Sequence, residues 1–170
     1  PSLIDVIFLI ALVPNANCVV KGGLVRNPFT RGPIKTAGYI INESSDAVIP
    51  AAAEAIAKQD ALIIFPEGTR TTPQQPLSLK RGAANVAIRT AADITPVLIE
   101  CVPTTLSKED RWYHVPPKKV HFRIRVCETI AVAPYLAESA PSVGARKLTA
   151  DLTEYFNKEL MLYEQSAVGS

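Results

Sequence analysis

Leu62-Ile63-Ile64-Phe65-Pro66-Glu67-Gly68-Thr69-Arg70 is an apolar run of strand-forming residues that ends in a proline, an acid, a glycine, a hydroxyl and a guanidinium. A continuous apolar run of this length reads as a strand buried on both faces, as in a parallel sheet flanked by helices. Such a strand delivers its polar residues at its end, and chemistry is expected there. Gly68 lets the backbone turn and a ligand approach closely, while Arg70 offers a planar fork of donors suited to phosphate or carboxylate. Glu67 can pair with Arg70 or orient it. Taken alone, Glu67-Gly68-Thr69-Arg70 also fits a surface turn with an exposed ion pair.

Upstream of this run, Ser44-Ser45-Asp46 supplies capping chemistry for a helix to about Lys58, with Val48, Ala52 and Ile56 on one stripe. Before it, Ala37-Gly38-Tyr39-Ile40-Ile41-Asn42 reads as a glycine followed by a strand, and Asn17-Cys18-Val19-Val20 as a strand leading to Lys21. Asn27-Pro28-Phe29 begins a helical or turn segment. At the start, Pro1 and Ser2 before an apolar stretch read as a helix beginning, with Asp5 favoured by the macrodipole and an end before Pro14. Residues 6–13 are too short to span a bilayer, which needs about 20 apolar residues. The order strand, helix, strand implies a right-handed parallel crossover.

Downstream, residues 71–76 form a polar loop, and Lys80-Arg81-Gly82-Ala83 opens a helix through about Ala91. Lys80 and Arg81 oppose the helix dipole there; either they are solvated charges or they answer an anionic ligand. Strands are expected over residues 94–102 and 119–127. In the second, His121, Arg123 and Arg125 share one face, so His121 reads as a solvated residue. His114 follows Trp112 and Tyr113 in a proline-flanked loop, and neither histidine is assigned a catalytic role. After Pro141, Leu148, Leu152, Tyr155, Phe156, Leu160 and Tyr163 recur at helical spacing, which predicts a helix packed on the sheet. Fraying is expected from Gln165.

With 170 residues the chain fits one domain, expected over residues 1–165 with a disordered tail over 166–170. Alternating strands and helices predict an α/β fold with a mixed, largely parallel sheet and helices on both faces. The net charge of +2 gives no footprint for a nucleic acid. Cys18, Cys101 and Cys127 are odd in number and far apart, and read as buried reduced thiols with no disulfide framework and no metal site.

Phe65-Pro66-Glu67-Gly68-Thr69-Arg70 resembles the third signature block of the glycerolipid acyltransferases, the group that includes the 1-acyl-glycerol-3-phosphate acyltransferases. Pro1-Ser2-Leu3-Ile4-Asp5 upstream and Ile94-Thr95-Pro96-Val97-Leu98-Ile99 downstream agree in order and spacing, so the resemblance runs from residue 1 to about Pro103. It implies O-acyl transfer from an acyl thioester, on coenzyme A or acyl carrier protein, to a lysophospholipid or glycerol-phosphate hydroxyl. No cofactor beyond that donor is implied. The family's first block is a His, four residues and an Asp; Asp5 matches the Asp, and the His falls just before Pro1. The resemblance therefore implies that Asp5 serves a base outside these residues, that the fragment alone is inactive, and that a membrane-associating segment precedes it. Glu67 is implied as a second catalytic residue, with Gly68, Thr69, Arg70, Lys21, Lys80 and Arg81 binding substrate. Asn42 stands where the second block often has an Arg, which leaves the acceptor open. The implied setting is the cytoplasmic side of a membrane surface. The competing reading is a non-catalytic module that binds lipid or acyl carrier.

Overall fold

The computed structural model describes residues 3–26, 31–32, 34, 36–42, 45–68, 76–103 and 116–168, leaving aside the side chains of Leu3, Lys21, Leu24, Ser45, Asp46 and residues 163–168. Helix α1 (Leu3–Leu12) leads through a turn into strand β1 (Ala16–Lys21), followed by the short helix α2 (Gly22–Arg26), strand β2 (Ile40–Asn42), helix α3 (Ser45–Ala57) and strand β3 (Ala61–Ile63). The three strands form a parallel sheet in the order β2-β1-β3. Val19 pairs with Ile40 and Lys21 with Asn42 on one side, and Cys18 with Ile63 on the other.

Successive residues of these strands point to opposite faces, and each face is covered. Cys18, Val20, Ile41, Ile63 and Phe65 pack with Ile34, with Val6 of α1 and with Val25 of α2. Val19, Ile40, Leu62 and Ile64 pack beneath Val48, Ala52 and Ala55 of α3 and Val86 of helix α4 (Gly82–Thr90). Burial on both faces is why the strands read as unbroken apolar runs.

A separate antiparallel pair follows, β4 (Val97–Val102) with β5 (His121–Val126), then the short helix α5 (Ala133–Leu136) and the long helix α6 (Pro141–Val168). A third core joins Ala84, Ala87 and Ile88 of α4 to Val132 and to Ala145, Leu148 and Leu152 of α6. Gly144 is required at the α5–α6 contact, because a Cβ there would overlap the Tyr135 carbonyl oxygen.

The mixed α/β class with helices on both faces holds. The strands divide into a parallel three-stranded sheet and an antiparallel hairpin pair, however, instead of one continuous sheet. The strand expected in the apolar run that leads to Phe65 stops pairing at Ile63, although Ile64 and Phe65 keep the alternation and still enter opposite cores. The strand expected over 94–102 begins at Val97; Ile94 makes an isolated bridge to Ile130, and Pro96, which lacks an N–H, interrupts the ladder. The strand expected over 119–127 is His121–Val126. Helix α6 packs mainly on α4 and α5, not on the sheet, because its apolar stripe meets the small residues Ala84 and Ala87. It continues to Val168, past the point where fraying was expected. Cys18 is buried, and burial pushes its thiol up to about 11, whereas Cys101 and Cys127 are only half-buried, contrary to expectation. The segment from Asn27 to Phe29, and the loop holding Trp112, Tyr113 and His114, lie outside the described residues.

Candidate active site

Parallel strands end together, and the residues just beyond their carboxyl ends share one edge of the sheet. Lys21 closes β1 at the register position beside Asn42, which closes β2 and is exposed. β3 leads through Ile64 and Phe65 into the turn Pro66-Glu67-Gly68 at the same edge. The opposite edge is fixed by the Ala61 N–H donating to the Asn15 carbonyl at 3.0 Å, just after α1 and just before β1. Ten residues of α1 rise about 15 Å, so the helix runs back along the sheet and returns its first turn, with Asp5, toward the edge where β1 and β3 end.

Asp5 is buried, the one buried charged side chain among the described residues. Glu67 is half-buried. Burial pushes the Glu67 carboxyl above its ordinary range, and the Asp5 carboxylate pushes it further the same way. That contribution sets Glu67 near Asp5 at the end of the sheet, although the two acids lie far apart in sequence.

A carboxyl with a raised folded pKa binds more protons folded than unfolded. Its contribution to stability is present below its ordinary value of 4.5 and is lost as the pH rises through the raised value. Glu67→Gln is therefore expected to melt progressively higher than the parent as pH rises from below 4.5 to neutral. Thermal denaturation across that range checks it, and a difference independent of pH contradicts it.

Gly68 adopts φ +71, in the left-handed region that glycine occupies at no steric cost. A Cβ on Gly68 would meet Lys80 Cγ at 3.2 Å, so the stem of Lys80 lies against this turn. The Lys80 N–H donates to the Pro66 carbonyl at 2.7 Å, which ties the start of α4 to the end of β3. Arg81 is the exposed N-cap of α4; it makes no side-chain capping bond, and the first turn of α4 holds no acid. The structure thus brings Asp5, Glu67, Gly68 and Lys80 together, sets Lys21 at the same edge through its backbone, and puts Arg81 beside Lys80. Thr69 and Arg70 follow Gly68 directly but lie outside the described residues, as does His114, while His121 is exposed on β5 as its alternation predicts.

Sequence reading missed Asn157. Its Oδ1 accepts from the Leu77 N–H at 2.9 Å, and its Nδ2 donates to the Leu77 carbonyl at 3.2 Å. This clamps Leu77, ahead of α4, onto α6. The available signal was an amide in the interior of a helix, where asparagine is disfavoured unless its side chain has a specific partner. Among the described residues, no group of three or more His, Cys, Asp or Glu could hold a metal ion.

A protein-family model described as Acyltransferase matches residues 1–100, which include α1 and the Pro66-Glu67-Gly68 turn. No curated protein matches the chain. Among solved structures, the crystal structure of the 1-acyl-sn-glycerophosphate (LPA) acyltransferase, PlsC, from Thermotoga maritima is similar at 24% sequence identity and a TM-score of 0.65. The match covers 94% of this chain and 63% of that one, and it carries the fold.

Proposed function

The chain belongs to the Acyltransferase family, and from that premise we propose that it transfers an acyl group from a thioester of coenzyme A or acyl carrier protein to the hydroxyl of a lysophospholipid or glycerol phosphate. The observation that carries this reading is the convergence of buried Asp5 with Glu67, Gly68 and Lys80 at the carboxyl edge of the parallel sheet. An acid buried at a ligand-binding edge suits the task of holding a neighbouring base in one orientation and favouring its protonated form.

In this reading the base is an imidazole contributed by the residue before Pro1. It removes the acceptor hydroxyl proton as the oxygen attacks the thioester carbonyl. The carbon–sulfur bond then breaks, and the thiolate leaves with the proton returned by the imidazolium. The acceptor's phosphate is held by Arg70, with Lys21, Lys80, Arg81 and the Gly68 turn beside it, since cations and a backbone free of side chain allow close approach to an anion. Thr69 adds a hydroxyl donor, and Glu67 orients Arg70 or meets the acceptor.

The test is steady-state kinetics of the chain extended upstream through the residue before Pro1. Arg70→Ala is expected to raise KM for lysophosphatidate about 10- to 100-fold, the worth of a lost charged hydrogen bond, and to leave KM for an acyl acceptor without phosphate unchanged. Equal effects on both acceptors would remove Arg70 from the phosphate site.

A further inference from the structure

Residues 76–80 belong to no helix or strand, so their backbone groups need partners from elsewhere. For Leu77, the amide of Asn157 on α6 answers both the N–H and the carbonyl. Asn157 Nδ2 also donates to the Thr153 carbonyl at 2.8 Å, one turn back, which fixes the amide on the helix before it reaches Leu77. A hydroxyl has one hydrogen to give and an ionised carboxylate none, so an amide is the group that serves all three partners at once. The contact joins residues 80 positions apart and is therefore a tertiary hold, not a local turn.

From Leu77 the hold passes to the candidate site. Exposure alternates along the segment: Leu77 and Leu79 are half-buried, Ser78 and Lys80 exposed. Leu79 packs against the third core, as does Phe156, the neighbour of Asn157 on α6. Lys80 comes three residues after Leu77, a reach of about 10 Å at full extension. Its N–H donates to the Pro66 carbonyl at 2.7 Å, and its stem lies against Gly68. Residues 77–80 thus form a short strap, fixed to α6 at one end and to the turn after β3 at the other. Release of the first end would leave Lys80 tied to Pro66 but free to swing about that tie. The ammonium, on a flexible four-carbon stem, goes where the backbone carries it.

We propose that Asn157 is a positioning residue of this site: by gripping Leu77 it sets where Lys80 lies against the Pro66-Glu67-Gly68 turn, and with it the cation offered to the acceptor's phosphate. The last clause rests on the phosphate-binding reading above; the positioning of Lys80 does not.

The test is amide hydrogen exchange of the chain, followed residue by residue by NMR, beside calorimetric binding of monomeric lysophosphatidate and of a monoacylglycerol that lacks the phosphate. Asn157→Ala suits it because alanine favours a helix interior more than asparagine does, so α6 itself is not weakened. Exchange at Leu77 and at Lys80 is expected to quicken about tenfold, since a hydrogen bond of ordinary worth no longer holds the strap. Kd for lysophosphatidate is expected to rise about fivefold, with monoacylglycerol binding unchanged. Tyr135→Phe removes a different bond to α6, that from the Tyr135 hydroxyl to Asp151 at 2.8 Å, and is expected to leave Lys80 exchange at the parent rate. Faster exchange at Leu77 with parent exchange at Lys80 overturns the proposal, because the grip would then be local. Equal quickening of Lys80 in Tyr135→Phe also overturns it, because α6 would then be loosening as a whole. Lys80→Ala separates the two readings. If it leaves lysophosphatidate binding at the parent level, Lys80 is removed from the phosphate site, while faster Lys80 exchange in Asn157→Ala still upholds the positioning role. If it weakens that binding and Asn157→Ala does not, the phosphate reading stands and Asn157 has no part in it.

Discussion

Asp5→Asn is expected to lower the rate of acyl transfer by about 10^3- to 10^4-fold, with little change in KM for either substrate. Asparagine keeps the size of the side chain but offers a neutral amide in place of a carboxylate. A neighbouring imidazole then loses both the acceptor that fixes its tautomer and the charge that favours its protonated form. The burial of Asp5 makes the effect large, because a buried carboxylate acts through a lower dielectric than a surface one. The same residue could instead do no more than complement the dipole at the start of α1. In that case Asp5→Asn would cost at most about 1 kcal/mol of stability and leave kcat intact. Pre-steady-state and steady-state rates of the upstream-extended chain, measured beside its denaturation curve, separate the two.

Leu148→Ala carries the largest expected effect on stability, about 2–5 kcal/mol. Leu148 is 0% exposed and sits where α6 crosses α4, among Ala84, Ala87, Ile88 and Val132. Its neighbours are short, so little can collapse into the space left behind, and the cavity term adds to the lost transfer energy. For a domain of this size each 1 kcal/mol corresponds to about 2–4 °C in Tm. Urea denaturation monitored by circular dichroism checks the value. A cost under about 1 kcal/mol would mean that α6 does not hold α4, and with it Lys80 and Arg81, in place.

Much of this was legible in the sequence because local signals agreed. Gly68 stands at a positive φ at the end of an apolar run, as its place in the sequence suggests. The three parallel strands, α1 and α3 fall close to where their periodicity puts them. What was not legible depends on partners distant in sequence. Nothing local shows that Pro96 will break a ladder whose pairing resumes at Val97, or that residues 97–102 will pair with β5 apart from the first sheet. The stripe of α6 announces an apolar face but not its target, and the target is α4 because Ala84 and Ala87 allow close approach. Ala91 ends α4 in the left-handed conformation at φ 51, without the glycine that usually marks such a C-terminus. In the site, the motif named Asp5, Glu67 and Gly68, but only the fold shows Asp5 buried and Asn157 clamping Leu77, ahead of α4.

The measurement closest to the central claim is transfer of a labelled acyl group from its thioester to lysophosphatidate by the chain extended upstream through the residue before Pro1, run beside the same form carrying Asp5→Asn. The account predicts labelled phosphatidate from the first and a rate lower by about 10^3-fold or more from the second. A folded, extended form that yields no product with coenzyme A or carrier-protein thioesters, while still sedimenting with vesicles, would contradict it and leave a lipid-binding module in its place.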